Sequence, residues 1–234
     1  DVAAAPLFKF VKDEVLQRDT VRTFIALLDN YQAETGVAEK ITKEEAKEDL
    51  AFLHAIISTP PMQYVKNYLL ATGHLKDGSD EELRIFVQHL WFRPYRRETR
   101  NDSSGFEHVF LGEIRDNEVI GLHNWLRIYQ EEQSSNLNFV GYITPKSAAA
   151  SPTGMDPNHD QVVSMQFEWN GCFKPVGTSF IGTSPEFEIA LYTLCYVGGQ
   201  GSTRVALGPY AVDVKVHTIG GSFLGSAYPS EPKA

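Results

Sequence analysis

The chain has 234 residues, 42% of them hydrophobic and 12% aromatic, which is enough to bury the core of one large domain or two small ones. It contains no run of about 18 apolar residues, which excludes a membrane-spanning segment. The net charge of −9 at pH 7 excludes a protein that binds nucleic acid through bulk positive charge, although a local basic site stays compatible with it.

The N-terminal residues DVAAAPLFKF contain neither an initiator Met nor the basic start and continuous apolar core of a signal peptide. We therefore expect a trimmed N-terminus, and both a secreted and a cytoplasmic location stay open. Cys172 and Cys195 are too few for a disulfide framework and fit no zinc-binding spacing, so two buried thiols are favoured over a single bridge.

Residues 1–95 are predicted to form a helical lobe. Leu7, Phe10 and Val11 indicate a short first helix, and Val21, Phe24, Ile25 and Leu28 follow with helical spacing. Capping boxes at 42–45 and 79–82 each precede an apolar stripe, and Pro60-Pro61 begins a further helix between them.

From about residue 104 the periodicity changes. Phe106, His108 and Phe110 alternate with their neighbours, which predicts a strand that continues to Glu113. Asp116-Asn117 is a turn signal, and the stripe of Leu122, Trp125, Leu126 and Tyr129 predicts a helix.

The remaining residues are predicted to be rich in β-structure. Strands are expected at 139–143, 161–169, around 172–173, 212–216 and 222–227, with a tight hairpin turn at Asn170-Gly171. Ser184-Pro185-Glu186 begins a helix, and residues 144–160, which include His159, are expected to form a long flexible loop.

These elements predict an α+β fold with a helical N-terminal lobe (1–95) and a β-rich catalytic part (96–234). The β-rich part is expected to contain two lobes with one helix each, anchored in the core by Trp125 and Leu191, with the catalytic cleft in this part of the chain.

Two histidines, His108 and His123, lie fifteen positions apart beside carboxylates. Imidazoles titrate near neutral pH, so such a pair suits general acid–base catalysis, but it also suits a metal site. The residues alone leave both interpretations open.

Four motifs in order then point to a known family: SSGFEHVFLGE, GLHNW, FKPVGTSFIGTSPEFEIALYT and GSAYP, within residues 103–229. The chain resembles the EndoU (XendoU-like, poly(U)-specific) endoribonucleases. It is more distantly similar to the coronavirus uridylate-specific endoribonuclease.

The resemblance implies cleavage of single-stranded RNA at uridines through attack of the ribose 2′-OH on the adjacent phosphorus, which leaves 2′,3′-cyclic phosphate and 5′-OH ends. By motif, His108 and His123 match the catalytic acid–base pair, with His123 as base and His108 as acid. Lys174 matches the lysine that contacts the phosphate.

The resemblance also implies supporting positions. The Gly121 amide matches a phosphate contact, Ser226 and Tyr228 match a pair placed against uridine, and Thr178 is expected near the base or phosphate. Glu107 and Glu113 match the acids that flank the first histidine, with a positioning, metal-binding or merely structural role.

The implied partner is single-stranded uridine-containing RNA, and a monomer is favoured. Family members often depend on Mn²⁺ or Ca²⁺, so a divalent cation is expected in a supporting role with unidentified ligands. No calcium-binding EF-hand or zinc HExxH motif is present.

Two other classes of protein remain as alternatives. One is a metallohydrolase with His108, Glu113 and His123 as ligands, which leaves Lys174 and the Ser226–Tyr228 segment unexplained. The other is a non-catalytic RNA-binding module whose basic cluster tracks phosphates; this cluster consists of Arg93, Arg96, Arg97 and Arg100.

Overall fold

The structure is a computed structural model that describes residues 3–143, 162–199, 201–208 and 210–230. Within these ranges the chain forms helices and two β-sheets, which confirms the predicted α+β class. The predicted loop at 144–160, with His159, and the first residue of the predicted strand at 161–169 lie outside the described residues.

The α-helices are α1 (Asp13–Leu16), α2 (Asp19–Ile25), α3 (Lys43–Ile57), α4 (Pro60–Ala71), α5 (Asp80–Trp91), α6 (Trp125–Gln133) and α7 (Pro185–Gly198), and a π-helix spans Glu107–Leu111. The strands are β1 (Glu113–Arg115), β2 (Glu118–Ile120), β3 (Leu137–Tyr142), β4 (Val162–Trp169), β5 (Cys172–Phe180), β6 (Gly201–Leu207), β7 (Tyr210–Ile219) and β8 (Phe223–Ser230). No helix in the described ranges is both long and apolar enough to cross a bilayer.

The helices before residue 95 begin largely where the sequence predicts. Thr42 and Glu45 form a complete capping box at α3, in which each side chain accepts the backbone amide of the other residue. The short helix predicted at residues 7–11 is wrong. The Leu7 and Phe8 amides instead donate to the Glu132 carboxylate at 2.7 and 3.0 Å, which holds this segment against α6.

The strand predicted from Phe106 is also wrong, because this segment is helical. The Ser104 hydroxyl accepts the Glu107 amide at 3.1 Å, as in a helix N-cap, and the Gly112 amide bonds the Glu107 carbonyl five residues back. Phe106 and Phe110 stack with ring centroids 5.2 Å apart on one side of the turn. Residues 107–111 are all buried, so no exposed positions reveal the helical period.

The two sheets carry the β-rich part of the chain. The first has the strand order β1-β2-β5-β4-β3, in which only the β2–β5 pair is parallel, and the second is the antiparallel sheet β6-β7-β8. Both predicted turns are confirmed: Asp116 and Asn117 have φ of 52° and 63°, and Asn170 and Gly171 have φ of 50° and 77°. These values match the two-residue turns that favour Asn, Asp and Gly.

The prediction missed strand β6, whose residues alternate between exposed and half-buried positions, with Val205 and Leu207 on the half-buried side. It found the buried face of β7, where Val212, Val214 and Val216 point inward. The expected strand at 222–227 continues to Ser230, so Tyr228 lies within β8.

One buried apolar cluster runs from Phe8 to Ala227 and includes residues of both the helices and the sheets. Trp125 and Leu191 both belong to it, while α7 packs mainly against α4 and also contacts β7 and β8. The division at residue 95 and the assignment to lobes remain predictions. Cys172 and Cys195 are free thiols, half-buried and buried respectively.

We expect Phe106→Ala to lower the free energy of unfolding by about 3–5 kcal/mol, since Phe106 is 0% exposed and its ring contacts five other aromatic rings. Urea denaturation measures the change. Phe10→Ala is the matched control, because Phe10 is 71% exposed and its loss should cost less than about 0.5 kcal/mol. Equal costs for the two variants would contradict this description of the core.

Candidate active site

Two backbone hydrogen bonds hold the segments of the two histidines together. The Leu122 amide donates to the His108 carbonyl at 3.0 Å, and the His123 amide donates to the Val109 carbonyl at 2.8 Å. The β1–β2 hairpin closes the connection between these segments. Fifteen residues of sequence separation thus become a direct backbone contact between the π-helix and the residues before α6.

Gly121 permits this contact. It has φ of 64°, and a Cβ atom at this position would lie 1.8 Å from the His108 carbonyl oxygen. Any larger side chain would therefore overlap the backbone that carries His108. The neighbouring Leu122 also has a positive φ, 57°, and its Cβ would meet a Cβ on Gly112 at 2.7 Å.

His108 is held through its Nδ1 atom. Nδ1 lies 2.5 Å from Oε2 of Glu113, and the Nε atom of Arg97 forms an ion pair with the same oxygen at 3.0 Å. A carboxylate accepts hydrogen bonds, so Nδ1 carries the proton and Nε2 faces the chemistry. Burial lowers the pKa of His108, and the Glu113 charge opposes this shift.

Arg97 joins this pair to the second sheet. Besides Glu113, its guanidinium donates to the Tyr95 hydroxyl at 2.7 Å, to the Ser103 hydroxyl at 3.1 Å and to the Gly225 carbonyl on β8 at 2.9 Å. The last bond ties the support of His108 to the residue that precedes Ser226.

His123 is held in the same way by a different partner. Its Nδ1 lies 2.8 Å from the Thr178 carbonyl, which can only accept, so Nδ1–H is the donor and Nε2 is the basic nitrogen. The Ser179 hydroxyl donates to the His123 carbonyl at 2.6 Å. Burial and then the Lys174 charge lower the pKa of His123 well below its usual value.

The residue after His123 is anchored deeper in the molecule. Asn124 caps α6 by accepting the Leu126 and Arg127 amides, and its Nδ2–H₂ donates to Glu188 at 3.2 Å. Glu188 is fully buried and also accepts the Thr183 hydroxyl at 2.7 Å. Burial raises the pKa of Glu188 to about 8, so this support is a neutral acid at pH 7.

Lys174 lies on β5, four residues before Thr178, and is buried except for 7% of its surface. Burial lowers its pKa to about 8. Its charge lowers the pKa of both His108 and His123, so the three groups share one electrostatic environment.

The last strand brings Tyr228 to the same place. Its ring stacks on His123 with centroids 4.7 Å apart and an interplanar angle of 18°. Ser226 lies two residues earlier on the same face of β8, and His217 pairs opposite it on β7. His217, which the sequence suggests is structural, also lies beside Tyr228, with Nε2 3.4 Å from the hydroxyl.

Three sequence-based expectations look different in the structure. Thr178 contributes its carbonyl to His123, while its own hydroxyl is buried without a partner among the described residues. Arg97 is committed to Glu113 and Gly225 and is not placed to track phosphates. Gly121 has a steric role in addition to the amide contact that the resemblance implies.

Glu107 does not contact His108 in the manner of Glu113. It is 1% exposed, and neither carboxyl oxygen has a hydrogen-bond partner in the described part of the chain. Burial, together with the charges of Glu113 and Glu39, raises its pKa to about 10, so it is protonated at pH 7. A protonated carboxyl group must lose its proton before it can bind a cation.

The described residues contain no group of three or more His, Cys, Asp or Glu side chains arranged to hold a metal ion. Several acids that could serve are engaged elsewhere: Glu113 by His108 and Arg97, Glu131 by Trp169 and Asn136, and Glu132 by the N-terminal segment. The side chains as they stand do not form a ready site for the divalent cation that the resemblance implies.

The family model described as "Endoribonuclease XendoU" matches residues 1–229. The chain belongs to the XendoU family of endoribonucleases. This confirms both the family resemblance and the enzyme class predicted from the sequence, and it favours them over the non-catalytic and metallohydrolase alternatives.

Curated relatives match along nearly the whole chain. Poly(U)-specific endoribonuclease-B of Xenopus laevis is 40% identical over 98% of this chain and 79% of its own length. Uridylate-specific endoribonuclease B of Danio rerio is 39% identical over 98% of this chain and 80% of its own length.

Among solved structures, XendoU, described as a splicing-independent snoRNA processing endoribonuclease, matches with a TM-score of 0.83 and 40% identity over 97% of this chain and 83% of its own. The Nsp15 endoribonuclease of Middle East Respiratory Syndrome coronavirus matches with a TM-score of 0.41 and 13% identity over 71% of this chain and 40% of its own. The second likeness is too weak to support any statement about the site.

We expect Gly121→Ala to destabilise the protein by about 3 kcal/mol or more, because the new Cβ would overlap the His108 carbonyl and adopt an unfavourable positive φ. RNA cleavage should fall with it. Gly141→Ala is the matched control, since no atom lies within 4 Å of a Cβ there. Denaturant unfolding compares the two, and a wild-type midpoint for Gly121→Ala would refute this packing.

Proposed function

We propose that the protein cleaves single-stranded RNA on the 3′ side of uridines by transphosphorylation, leaving 2′,3′-cyclic phosphate and 5′-OH ends. One observation carries the proposal: both histidines are bound through Nδ1 to fixed acceptors, so each offers Nε2 to a site that Lys174 also reaches electrostatically. The names of the Xenopus and zebrafish relatives support the uridine preference.

The reaction needs three groups. A base must remove the proton of the 2′-OH, an acid must protonate the departing 5′-oxygen, and positive charge must stabilise the pentavalent phosphorane. Two imidazoles and an ammonium meet these needs without a redox or covalent step on the protein.

His123 is proposed as the base. Burial and the neighbouring Lys174 charge lower its pKa well below the usual value, so the neutral form prevails at pH 7. The Thr178 carbonyl selects the tautomer with a lone pair on Nε2, as a base requires.

His108 is proposed as the acid. Its Nδ1–H points at the Glu113 carboxylate, which stabilises the imidazolium form and keeps Nε2–H available for donation. Arg97 holds that carboxylate in place through an ion pair.

Lys174 is proposed to contact a non-bridging phosphate oxygen. With a pKa of about 8 its ammonium is charged at pH 7, and burial leaves it less screened by water than a surface lysine. The bound phosphate would favour the charged form further. The Gly121 amide is proposed as a second phosphate contact.

The uridine is proposed to bind against the face of β8 that carries Ser226 and Tyr228. A Ser hydroxyl can donate and accept, so it can pair with a carbonyl or the N3–H of uracil. The Tyr228 ring and hydroxyl can contact the base or ribose, and the Thr178 hydroxyl is a further candidate contact.

A divalent cation, Mn²⁺ or Ca²⁺, is proposed in a supporting role outside the acid–base step. Since the described side chains form no ready site, we assign it no ligands and route no step through it.

The test uses a short RNA with one uridine and matched RNAs in which that uridine is cytidine or 2′-deoxyuridine. We expect one cut after the uridine, with cyclic phosphate and 5′-OH ends identified by mass spectrometry, and no cut at deoxyuridine. The reaction is run with Mn²⁺, with Ca²⁺ and with chelator.

Absence of cleavage under every condition would refute the proposed function. A linear 3′-phosphate that forms without a cyclic precursor would refute the transphosphorylation step. Full activity in the presence of chelator would refute the supporting role proposed for a divalent cation.

The assignment of base and acid has its own test. On RNA, His108→Ala and His123→Ala should each lose about 10²–10⁴-fold in kcat.

The second substrate is a uridine 3′-phosphodiester with a p-nitrophenyl leaving group, which needs no protonation. On this substrate, the kcat of His108→Ala should recover to within about tenfold of wild type, since the variant lacks only the acid. His123→Ala should remain impaired, and His54→Ala, an exposed helix position, serves as the control. The opposite pattern would reverse the two roles.

A further inference from the structure

The face of the second sheet that carries Tyr228 is polar across all three strands. Strand pairing places Lys215 directly opposite Tyr228, and Ser202 directly opposite Lys215. Side chains paired across strands lie on the same face, and the Lys215 ammonium confirms this by donating to the Ser202 hydroxyl at 2.6 Å.

Two neighbouring rows continue this face. His217 pairs with Ser226 on one side, and Arg204, Asp213 and Ser230 form a row on the other. Arg204 contacts Asp213 at 3.0 Å, yet its side chain remains 57% exposed. The opposite face, with Val212, Val214 and Val216, is buried in the core.

The charge of this face contrasts with that of the chain. Acidic residues outnumber Lys and Arg by 30 to 21 overall. Among the described residues of this face, Arg204 and Lys215 are accompanied by one carboxylate, Asp213, which is buried beside Arg204. The surface that leads away from Tyr228 is therefore a local basic site of the kind that the net charge leaves open.

The spacing of these cations suits a polyanion that starts at Tyr228. Adjacent strands lie about 4.8 Å apart, so Lys215 is one strand away from Tyr228 and Arg204 is two strands and one row away. The two cations thus lie at increasing distance from the uridine position, in line with a chain of phosphates that leaves the active site.

We propose that this face, defined by Arg204, Lys215, His217, Ser226 and Tyr228, binds the phosphates of single-stranded RNA next to the cleaved uridine. The inference rests on the proposed function, because the position of the uridine at Tyr228 determines where on this face the neighbouring phosphates lie. Lys215 contacts the nearer phosphate and Arg204 the farther one. The site extends the contacts with RNA beyond one nucleotide, so longer RNAs are better substrates than dinucleotides.

The test measures binding of an uncleavable RNA of twelve nucleotides, with one central 2′-deoxyuridine, at several salt concentrations. Each phosphate contact to single-stranded nucleic acid contributes about −0.7 to the slope of log K against log[salt]. Lys215→Gln and Arg204→Gln should each reduce the slope by about 0.7, and the double variant by about twice that. Lys47→Gln is the control, since Lys47 is exposed on α3 and paired with Glu44.

Cleavage supplies a second readout. The ratio of kcat/KM for a twelve-nucleotide RNA to kcat/KM for a uridine dinucleotide should fall about fivefold or more in Lys215→Gln and Arg204→Gln, and should be unchanged in Lys47→Gln. Circular dichroism and thermal unfolding confirm that the variants remain folded.

Wild-type slopes in both variants would overturn the inference. So would an equal loss on the dinucleotide and the long RNA, because that would place the residues in the active site itself. A wild-type protein that cleaves no RNA would instead overturn the proposed function, and the salt slopes would still decide whether this face binds RNA.

Discussion

The candidate active site depends on the two backbone hydrogen bonds that join Leu122 and His123 to His108 and Val109. Buried backbone amides and carbonyls lose free energy when they are unpaired, so these two bonds hold the segments together. It joins the π-helix, whose second residue is His108, to the segment just before α6 that carries His123. Gly121 makes the approach possible because it has no side chain.

Around this contact, each histidine is controlled by its own acceptor. A carboxylate accepts from Nδ1 of His108 and a carbonyl accepts from Nδ1 of His123, while burial lowers the pKa of both rings. The Lys174 charge lowers both pKa values further, and only at His108 does a neighbouring carboxylate, Glu113, oppose the shift. Arg97 then links Glu113, the partner of His108, to β8, the strand that carries Tyr228.

The two faces of the second sheet have different roles. Its buried face contributes valines to the continuous core, and its exposed face lines the approach to His123. The β7–β8 register determines which side chains accompany Tyr228, since a slip of one residue would turn Lys215 and His217 into the core.

Local patterns in the sequence determined the caps, the Asn-Gly and Asp-Asn turns, the amphipathic helices and the family motifs, because each depends on neighbouring residues. Local patterns failed at 106–111, where complete burial hides the helical period, and at residues 7–11, where the Glu132 carboxylate accepts backbone amides that a helix would use. Only the tertiary structure decided the partners of His108, His123 and Arg97. Thr178 lies 55 residues from His123 and Gly225 lies 128 residues from Arg97, and the pKa shifts of the histidines arise from burial and charge that exist only after folding.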